Sequence, residues 1–108
     1  MKVYLREKNI WTLYSLRRNS KEFKKRNISI AKSAKIKDYT KIGDYTEIKE
    51  GAEIGEFAEL AEGVGIGGLT LIGNNVKIGT GVRIGNDVEI ENGVRIQRNI
   101  TIKRNANN

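Results

Sequence analysis

The sequence predicts an all-β repeat fold, and three observations predict it. Aliphatic residues recur every six positions from Ile30 to Ile102 without insertion or deletion. Four residues after each of them stands a small or β-branched residue, such as Ala34 or Val76. The intervening segments have the glycine and asparagine content of turns, as in residues 73–75 (Gly-Asn-Asn). Because a helical face repeats at about 3.6 residues and a strand at 2, a period of six indicates a unit of one short strand and one turn.

The recurring small or β-branched residue and the aliphatic residue that follows it lie on the same side of a strand. Val76 and Ile78 flank the single outward residue Lys77, so both side chains point to one face. In eight of the thirteen units, the third position after the aliphatic residue holds a residue type that tolerates a positive φ, and we predict a left-handed backbone there. These positions are Gly51, Gly63, Asn75, Gly81, Asp87, Gly93, Asn99 and Asn105.

The aliphatic column is the predicted core. Each fully buried member contributes about 1.5–3 kcal/mol to folding, so the column is the expected main source of stability, and an aspartate at Ile66 or Ile72 should unfold a coil. The column consists of Ile36, Ile42, Ile48, Ile54, Leu60, Ile66, Ile72, Ile78, Ile84 and Ile90.

The units IGNNVK, IGTGVR, IGNDVE and IENGVR resemble the hexapeptide repeat, and the resemblance covers residues 30–107. It implies a left-handed parallel β-helix, a triangular prism with three hexads per coil and about four coils. The handedness follows from the resemblance alone, because the usual crossover preference is right-handed. Successive glycines after the aliphatic residues, such as Gly67 and Gly73, occupy a slot in which this family prefers glycine.

The same resemblance implies an activity that this sequence does not support. Most hexapeptide-repeat proteins are acyltransferases that use acetyl-CoA or acyl carrier protein, usually as trimers, and a smaller branch has carbonic anhydrase activity. Both chemistries use histidine, either as general base or as zinc ligand. The chain has no histidine and no cysteine, and its unbroken register has no extruded loop to wall an active site. We therefore predict no catalytic, cofactor-binding or metal-binding residue, and no cofactor.

Residues 1–29 break the register and form a predicted N-terminal cap, separate from the β-helix of residues 30–108. Val3 and Leu5 alternate like a short strand. Hydrophobic spacing predicts a helix over residues 8–18. A second helix is predicted over residues 20–26.

The cap should cover the open end of the first coil, as terminal segments of solenoids do. Asn19 followed by Glu22 is typical of a capping box at the start of the second helix. Trp11, Tyr14 and Phe23 are the predicted plug, which is a structural role and not an aromatic ligand box.

Positive charge is concentrated in the first third of the chain. Twelve of its twenty Lys and Arg residues fall within residues 1–37, against two glutamates, whereas residues 38–108 carry eight basic and eleven acidic residues. The cluster could contact nucleic acid or an anionic surface, or it could be a solvated face. Its members are Arg17, Arg18, Lys24, Lys25 and Arg26.

Stacking of coils brings residues eighteen apart together, with two consequences. Tyr39 and Phe57 should pack at a corner. Asp38 with Glu56, and Asp44 with Glu62, could each bind a calcium ion between adjacent coils. Too few oxygen ligands converge there, and we expect these carboxylates to be solvated. Without cysteines or a long apolar run, the chain is expected to be soluble, without a membrane span, and cytoplasmic.

The sequence thus favours a non-catalytic scaffold or assembly module that forms homo-oligomers. An end-to-end dimer would use the last coil, around Ile96, Ile100 and Ile102, and a lateral trimer would use the outward residues Leu69 and Leu71. One alternative is a hexapeptide acyltransferase that is degenerate or completed by a partner. The other is a binder of nucleic acid or an anionic surface through the basic cap.

Overall fold

The computed structural model describes residues 2–104, and it consists of short strands and one helix. The helix is α1 (Ser20–Lys25). The strands are β1 (Lys2–Glu7), β2 (Ile10–Ser15), β3 (Ser29–Ile30), β4 (Lys35–Ile36), β5 (Thr40–Ile42), β6 (Glu47–Ile48), β7 (Glu53–Ile54), β8 (Glu59–Leu60), β9 (Gly65–Ile66), β10 (Leu71–Ile72), β11 (Lys77–Ile78), β12 (Arg83–Ile84), β13 (Glu89–Ile90), β14 (Arg95–Ile96) and β15 (Thr101–Ile102).

The strands from β3 onward form a parallel β-helix of about four coils, which confirms the predicted fold class and is consistent with the left-handed form. Every third strand joins the same sheet, in the orders β14-β11-β8-β5-β1-β2, β13-β10-β7-β4 and β15-β12-β9-β6-β3. We call these sheets A, C and B. Leu71 pairs with Glu53 on one side and Glu89 on the other, so residues eighteen apart are neighbours.

The predicted aliphatic column forms the core. From Ile36 to Ile84 its members are at most 4% exposed, and Ile90 is half-buried. The small or β-branched residues fill the same interior, including Ala52, Val64 and the buried threonines. Each buried threonine hydroxyl is hydrogen-bonded; the Thr70 hydroxyl, for example, donates to the Gly85 carbonyl at 2.7 Å. Burial of these threonines therefore leaves no unsatisfied hydroxyl group.

Positive φ angles occur at the predicted corner positions of the described residues, for example Gly93 at 75° and Asn75 at 58°. Asn105 lies outside the described residues. The glycines that directly follow the aliphatic residues are needed for a different reason, because the next coil leaves no space for a Cβ. A Cβ on Gly67 would lie 2.4 Å from the carbonyl carbon and oxygen of Gly85 in the next coil.

The predicted helix over residues 8–18 is wrong, because this segment is strand β2 in a hairpin with β1. The two strands pair antiparallel from Lys2↔Ser15 to Glu7↔Ile10 across a two-residue turn, where Lys8 has φ 56°. The hydrophobic spacing of this segment fits the period of a helix and the period of a strand equally well. Pairing with the free edge of β1 favours the strand. The predicted strand around residues 3–5 is present in β1.

The predicted second helix is present as α1, but the capping box does not form. Asn19 directs its side-chain oxygen to the backbone N–H of Ser15 at 2.7 Å, and no side-chain hydrogen bond caps the helix. β1 also extends sheet A, since Val3 and Leu5 lie beside Thr40 and Ile42. The cap and the first coil therefore share one sheet and one core.

Candidate functional site: the two ends of the β-helix

The N-terminal end of the core is covered. Phe23 of α1 is 6% exposed and joins the same hydrophobic cluster as Val3, Leu5 and Ile28, while Tyr14 packs partly buried against it. Phe23 thus lies where the sequence predicted a plug. The short helix and the β1–β2 hairpin together remove this end of the column from water.

Trp11 does not take part in this plug. It pairs with Arg6 across the hairpin on the outer face of sheet A. Its ring lies 5.5 Å from the Arg6 guanidinium and 5.7 Å from the Lys41 ammonium, both within the range of cation–π attraction. The predicted role of Trp11 as end cover is therefore wrong, because the strand alternation turns its side chain outward.

Arg26 is held inside the cap. Its guanidinium bonds the Glu22 carboxylate at 2.6 Å, lies 3.3 Å from the Glu7 carboxylate, and stacks 5.2 Å above the Tyr14 ring. Its Nε also donates to the Arg6 carbonyl at 3.0 Å. With only 10% of its side chain exposed, Arg26 is unavailable for the anion contact that the sequence suggested.

The Arg26 network shifts the pKa values of its acidic and phenolic members, Glu22 and Tyr14. The hydrogen bond from Arg26 lowers the pKa of Glu22, because it stabilises the ionised carboxylate. The Tyr14 hydroxyl donates to Glu7, and this bond raises the pKa of Tyr14 by favouring the protonated phenol. Both glutamates of residues 1–37, Glu7 and Glu22, form ion pairs with Arg26.

The other four cations of the predicted cluster are exposed and carry no acidic partner among the described residues. They follow β2 directly or lie on α1, and none forms an ion pair there. The cap surface is therefore strongly positive, and the outward set is smaller by Arg26 than predicted. This set is Arg17, Arg18, Lys24 and Lys25.

The C-terminal end of the described chain is different, because exposure of the core rises there. The interior positions of the last coil are Val94 at 37% and Ile100 at 40% exposed, against 0% for Val76 and Val82. Ile96 stays buried at 8% and Ile102 is half-buried. Within residues 2–104, the outermost strands of the β-helix at this end are β13, β14 and β15.

Within residues 2–104, the last strands have backbone hydrogen-bonding groups that face no further strand. Lys77 donates its N–H to Val94 in the next coil at 3.0 Å, and Arg83 likewise donates to Ile100 at 3.0 Å. By the same pattern, residues one coil further on direct their N–H groups past the last described strands. Apolar interior and unpaired strand edges therefore meet at one surface, which is typical of a surface that takes another strand.

Four corner positions hold bulky residues in the left-handed conformation. Tyr39, Tyr45, Phe57 and Leu69 have φ between 57° and 66° and are 40–64% exposed. Such a conformation costs about 1–2 kcal/mol for a residue with a Cβ. The sequence analysis assigned positive φ only to glycine, asparagine and aspartate, although the six-residue spacing itself identified these positions too.

Two of these corner residues belong to an aromatic row. Tyr39 and Phe57 stack with ring centroids 5.4 Å apart, as predicted, and Tyr4 of β1 continues the row at 6.3 Å from Tyr39. Leu69 and Leu71, predicted for a lateral contact, are 64% and 39% exposed.

The outer faces of the prism carry shallow depressions. One depression, of about 720 Å³ on sheet C, is lined by side chains that include Lys35, Glu53, Leu71 and Glu89. Another, of about 580 Å³ on sheet A, contains Lys77 among its lining residues. Within residues 2–104, no three potential metal ligands come together, and no helix of that stretch is long and apolar enough to cross a membrane.

Comparison with known proteins agrees with this architecture. A family model for the bacterial transferase hexapeptide (six repeats) matches residues 70–106. Among solved structures, serine acetyltransferase isoform 3 of Entamoeba histolytica, determined in complex with cysteine, is similar with a TM-score of 0.51 and 22% sequence identity. The match covers 76% of this chain but only 36% of the serine acetyltransferase chain. A comparison with curated proteins finds no match.

These similarities confirm the predicted resemblance. Residues 70–106 match the hexapeptide-repeat model, and the chain has a parallel β-helix fold similar to that of a serine acetyltransferase. At 22% identity, the structural match shows similarity of fold alone. The acetyltransferase activity is that of the matched protein and is not assigned to this chain.

Proposed function

We propose that this chain is a non-catalytic assembly module that associates with a second copy of itself through the C-terminal coil. The observation that carries the proposal is the contrast between the two ends. Phe23 and the β1–β2 hairpin cover one end of the core, whereas Val94 and Ile100 are 37% and 40% exposed at the other. Burying these residues against a like surface would remove apolar area from water and pair the strand edges.

The covered N-terminal end favours a closed dimer. A head-to-tail filament would need the C-terminal end of one copy to stack on the N-terminal end of the next, where α1 and β2 lie. A two-fold axis instead joins two C-terminal ends, so the same patch serves both copies and association stops at two. The last strands of the two copies would then pair antiparallel.

The lateral trimer is the competing arrangement. Leu71 is 39% exposed in the centre of sheet C, with Glu53 and Glu89 on either side. Sheet A presents the opposite charge in the same row, from Lys41 past Glu59 to Lys77 and Arg95. A sheet A face could thus meet the sheet C face of a neighbour.

One pair of substitutions separates these arrangements. Ile100→Asp changes a 40% exposed residue at the end, and Leu71→Asp changes a 39% exposed residue on a face. Light scattering coupled to size-exclusion chromatography should show a dimer for the unmodified chain and Leu71→Asp, and a monomer for Ile100→Asp. Circular dichroism must show that both variants retain the β-helix. A monomer at all concentrations for the unmodified chain would remove the proposal, and loss of association only in Leu71→Asp would establish the lateral contact instead.

Acyl transfer is the second candidate, since the matching family model and the similar structure are those of transferases. A partner chain would have to supply the general base, because this sequence contains no histidine. Calorimetry with acetyl-CoA tests this candidate directly. Binding of acetyl-CoA, together with acceptor-dependent release of CoA, would favour it over the assembly role.

The third candidate, an anionic-surface or nucleic-acid binder, depends on the exposed cations Arg17, Arg18, Lys24 and Lys25. Reversal of these charges should abolish DNA binding at low salt if this candidate is correct, and binding should fall steeply with added salt. Retention of DNA binding after the reversal would exclude the cap as its site.

A further inference from the structure

The N-terminal end has a free strand edge of its own, formed by β2. Within the described part of the chain, residues 2–104, sheet A ends in β2, and the strand that pairs with β2 is β1. Because Glu7 and Ile10 flank the two-residue turn, alternate residues of β2 direct both backbone groups away from β1. These residues are Trp11, Leu13 and Ser15. We call the backbone groups of Trp11 and Leu13 the β2 edge.

Ser15 shows what these outward groups require. Its N–H donates to the Asn19 side-chain oxygen at 2.7 Å, and its carbonyl accepts from the Asn19 N–H at 3.1 Å. Asn19 thus completes the end of the strand. The β2 edge has no comparable partner within residues 2–104, because no strand lies beyond β2.

Apolar side chains border the β2 edge. Leu13 is 39% exposed and Ile10 is 68% exposed, on opposite faces of the sheet. Trp11 is half-buried beside them. An added strand would therefore find four backbone groups for pairing and apolar contacts on both faces, which is the arrangement that binds extended peptides by strand addition.

Charge indicates which strand fits. Lys8 precedes β2, Arg17 and Arg18 follow it, and all three are exposed without an ion pair among the described residues. If two copies paired antiparallel through β2, Lys8 of each would lie beside the arginines of the other, and like charges would repel. An extended segment with acidic residues meets the same cations favourably.

We propose that the β2 edge binds an acidic, extended segment of another protein as an additional strand of sheet A. The backbone groups of Trp11 and Leu13 hold the segment, and Arg17 and Arg18 select for its negative charge. The site lies at the opposite end of the prism from the proposed self-association surface and does not depend on it.

The probe is a fluorescein-labelled heptapeptide of alternating glutamate and valine, with glutamate at both ends. Fluorescence anisotropy with the full chain should show binding. A peptide with lysine in place of glutamate should not bind. A glutamate peptide that is N-methylated at alternate backbone amides keeps its charge but cannot pair along one edge, and its affinity should fall by about tenfold or more, as expected for loss of one or two hydrogen bonds.

Two variants of the chain test the two parts of the site. Leu13→Pro removes the outward N–H and leaves the pairing with β1 intact, since proline is tolerated where the N–H faces solvent. It should weaken binding by about fivefold or more through loss of one hydrogen bond, whereas Leu13→Ala keeps the N–H and serves as its control. Arg17→Glu with Arg18→Glu should abolish binding, and Lys49→Glu with Lys103→Glu, on sheet B, should leave it unchanged.

Three results would overturn the proposal. The first is absence of glutamate-peptide binding at about 1 mM, the weakest affinity of interest here. The second is equal affinity for the N-methylated peptide, or tighter binding of DNA of equal charge, because either would show a general polyanion surface. The third is a lower solution mass for Leu13→Pro than for the unmodified chain, which would assign the edge to a second copy.

Discussion

Gly67→Ala and Gly85→Ala make a sharp test of how coil stacking limits this repeat. Both glycines follow a column isoleucine, one coil apart. A Cβ at Gly67 would lie 2.4 Å from backbone carbon and oxygen of Gly85 and 2.6 Å from the Asn86 nitrogen. At Gly85 the nearest atom, a carbonyl oxygen of Ile102, would be 3.5 Å away, an ordinary contact.

The two substitutions should therefore differ in stability by a measurable amount. In Gly67→Ala the backbone of the next coil must move by about 1 Å, against hydrogen bonds such as the 2.8 Å bond from Gly67 to Ile84. Overpacking of this kind costs about 1–3 kcal/mol, and rigid backbone places Gly67 near the upper end. Gly85→Ala should change the free energy of unfolding by less than about 1 kcal/mol.

Urea denaturation followed by far-ultraviolet circular dichroism measures both values. For a chain of this size, about 3 kcal/mol corresponds to a melting temperature lower by roughly 12–24 °C. An equal cost at the two positions would refute the reasoning, because it would mean that glycine serves backbone freedom in this slot and not close approach of coils.

Three further outcomes are expected. Thr70→Val should lower the free energy of unfolding by about 1–2 kcal/mol, since the carbonyl of Gly85 loses its buried hydroxyl donor; urea titration checks this. Arg26 holds the pKa of Glu22 below its usual value, so this stabilisation is present above the normal glutamate pKa and is lost as the pH falls through the lowered one. Arg26→Met should unfold more easily at neutral pH and show a shallower acid dependence in thermal melts. Leu69→Asn should leave stability unchanged or raise it by about 1 kcal/mol, because asparagine tolerates the left-handed conformation better; a clear loss would mean that the leucine side chain contributes packing.

The β-helix itself was predictable because its determinants are local and repeated. An aliphatic residue, a turn residue and a small residue recur in each hexad, so one error in interpretation would not change the register. The stacking of Tyr39 on Phe57 followed from the same count, because a coil of eighteen residues brings them together. Handedness did not follow from the repeat and came from the family resemblance.

The N-terminal segment was harder because its hydrophobic spacing fits a helix and a strand equally well. Ile10, Trp11, Leu13 and Tyr14 lie on one broad helical face and also occupy two faces of a strand. The choice depends on β1, which offers a free edge once it has joined sheet A. No local signal in residues 8–18 reports that edge.

Arg26 illustrates the same limit for the candidate site. In the sequence it is one of several cations of the cap, equivalent to Arg17 and Arg18. In the folded chain it is 10% exposed between Glu7 and Glu22, while the other two remain at the surface. Long-range pairing between the hairpin and α1 makes this distinction, and composition cannot show it.

The sequence by itself determined the repeat, the core column, the corner conformations at glycine, asparagine and aspartate, and the concentration of positive charge in the cap. These features depend on residue type and spacing, and neighbouring coils merely repeat them. Only the tertiary structure decided that β2 is a strand, that Trp11 faces outward, and that one end of the core is covered while the interior of the last described coil is exposed. These outcomes depend on which edges and faces remain unpaired after the coils have stacked, a property of the whole prism and of no single segment.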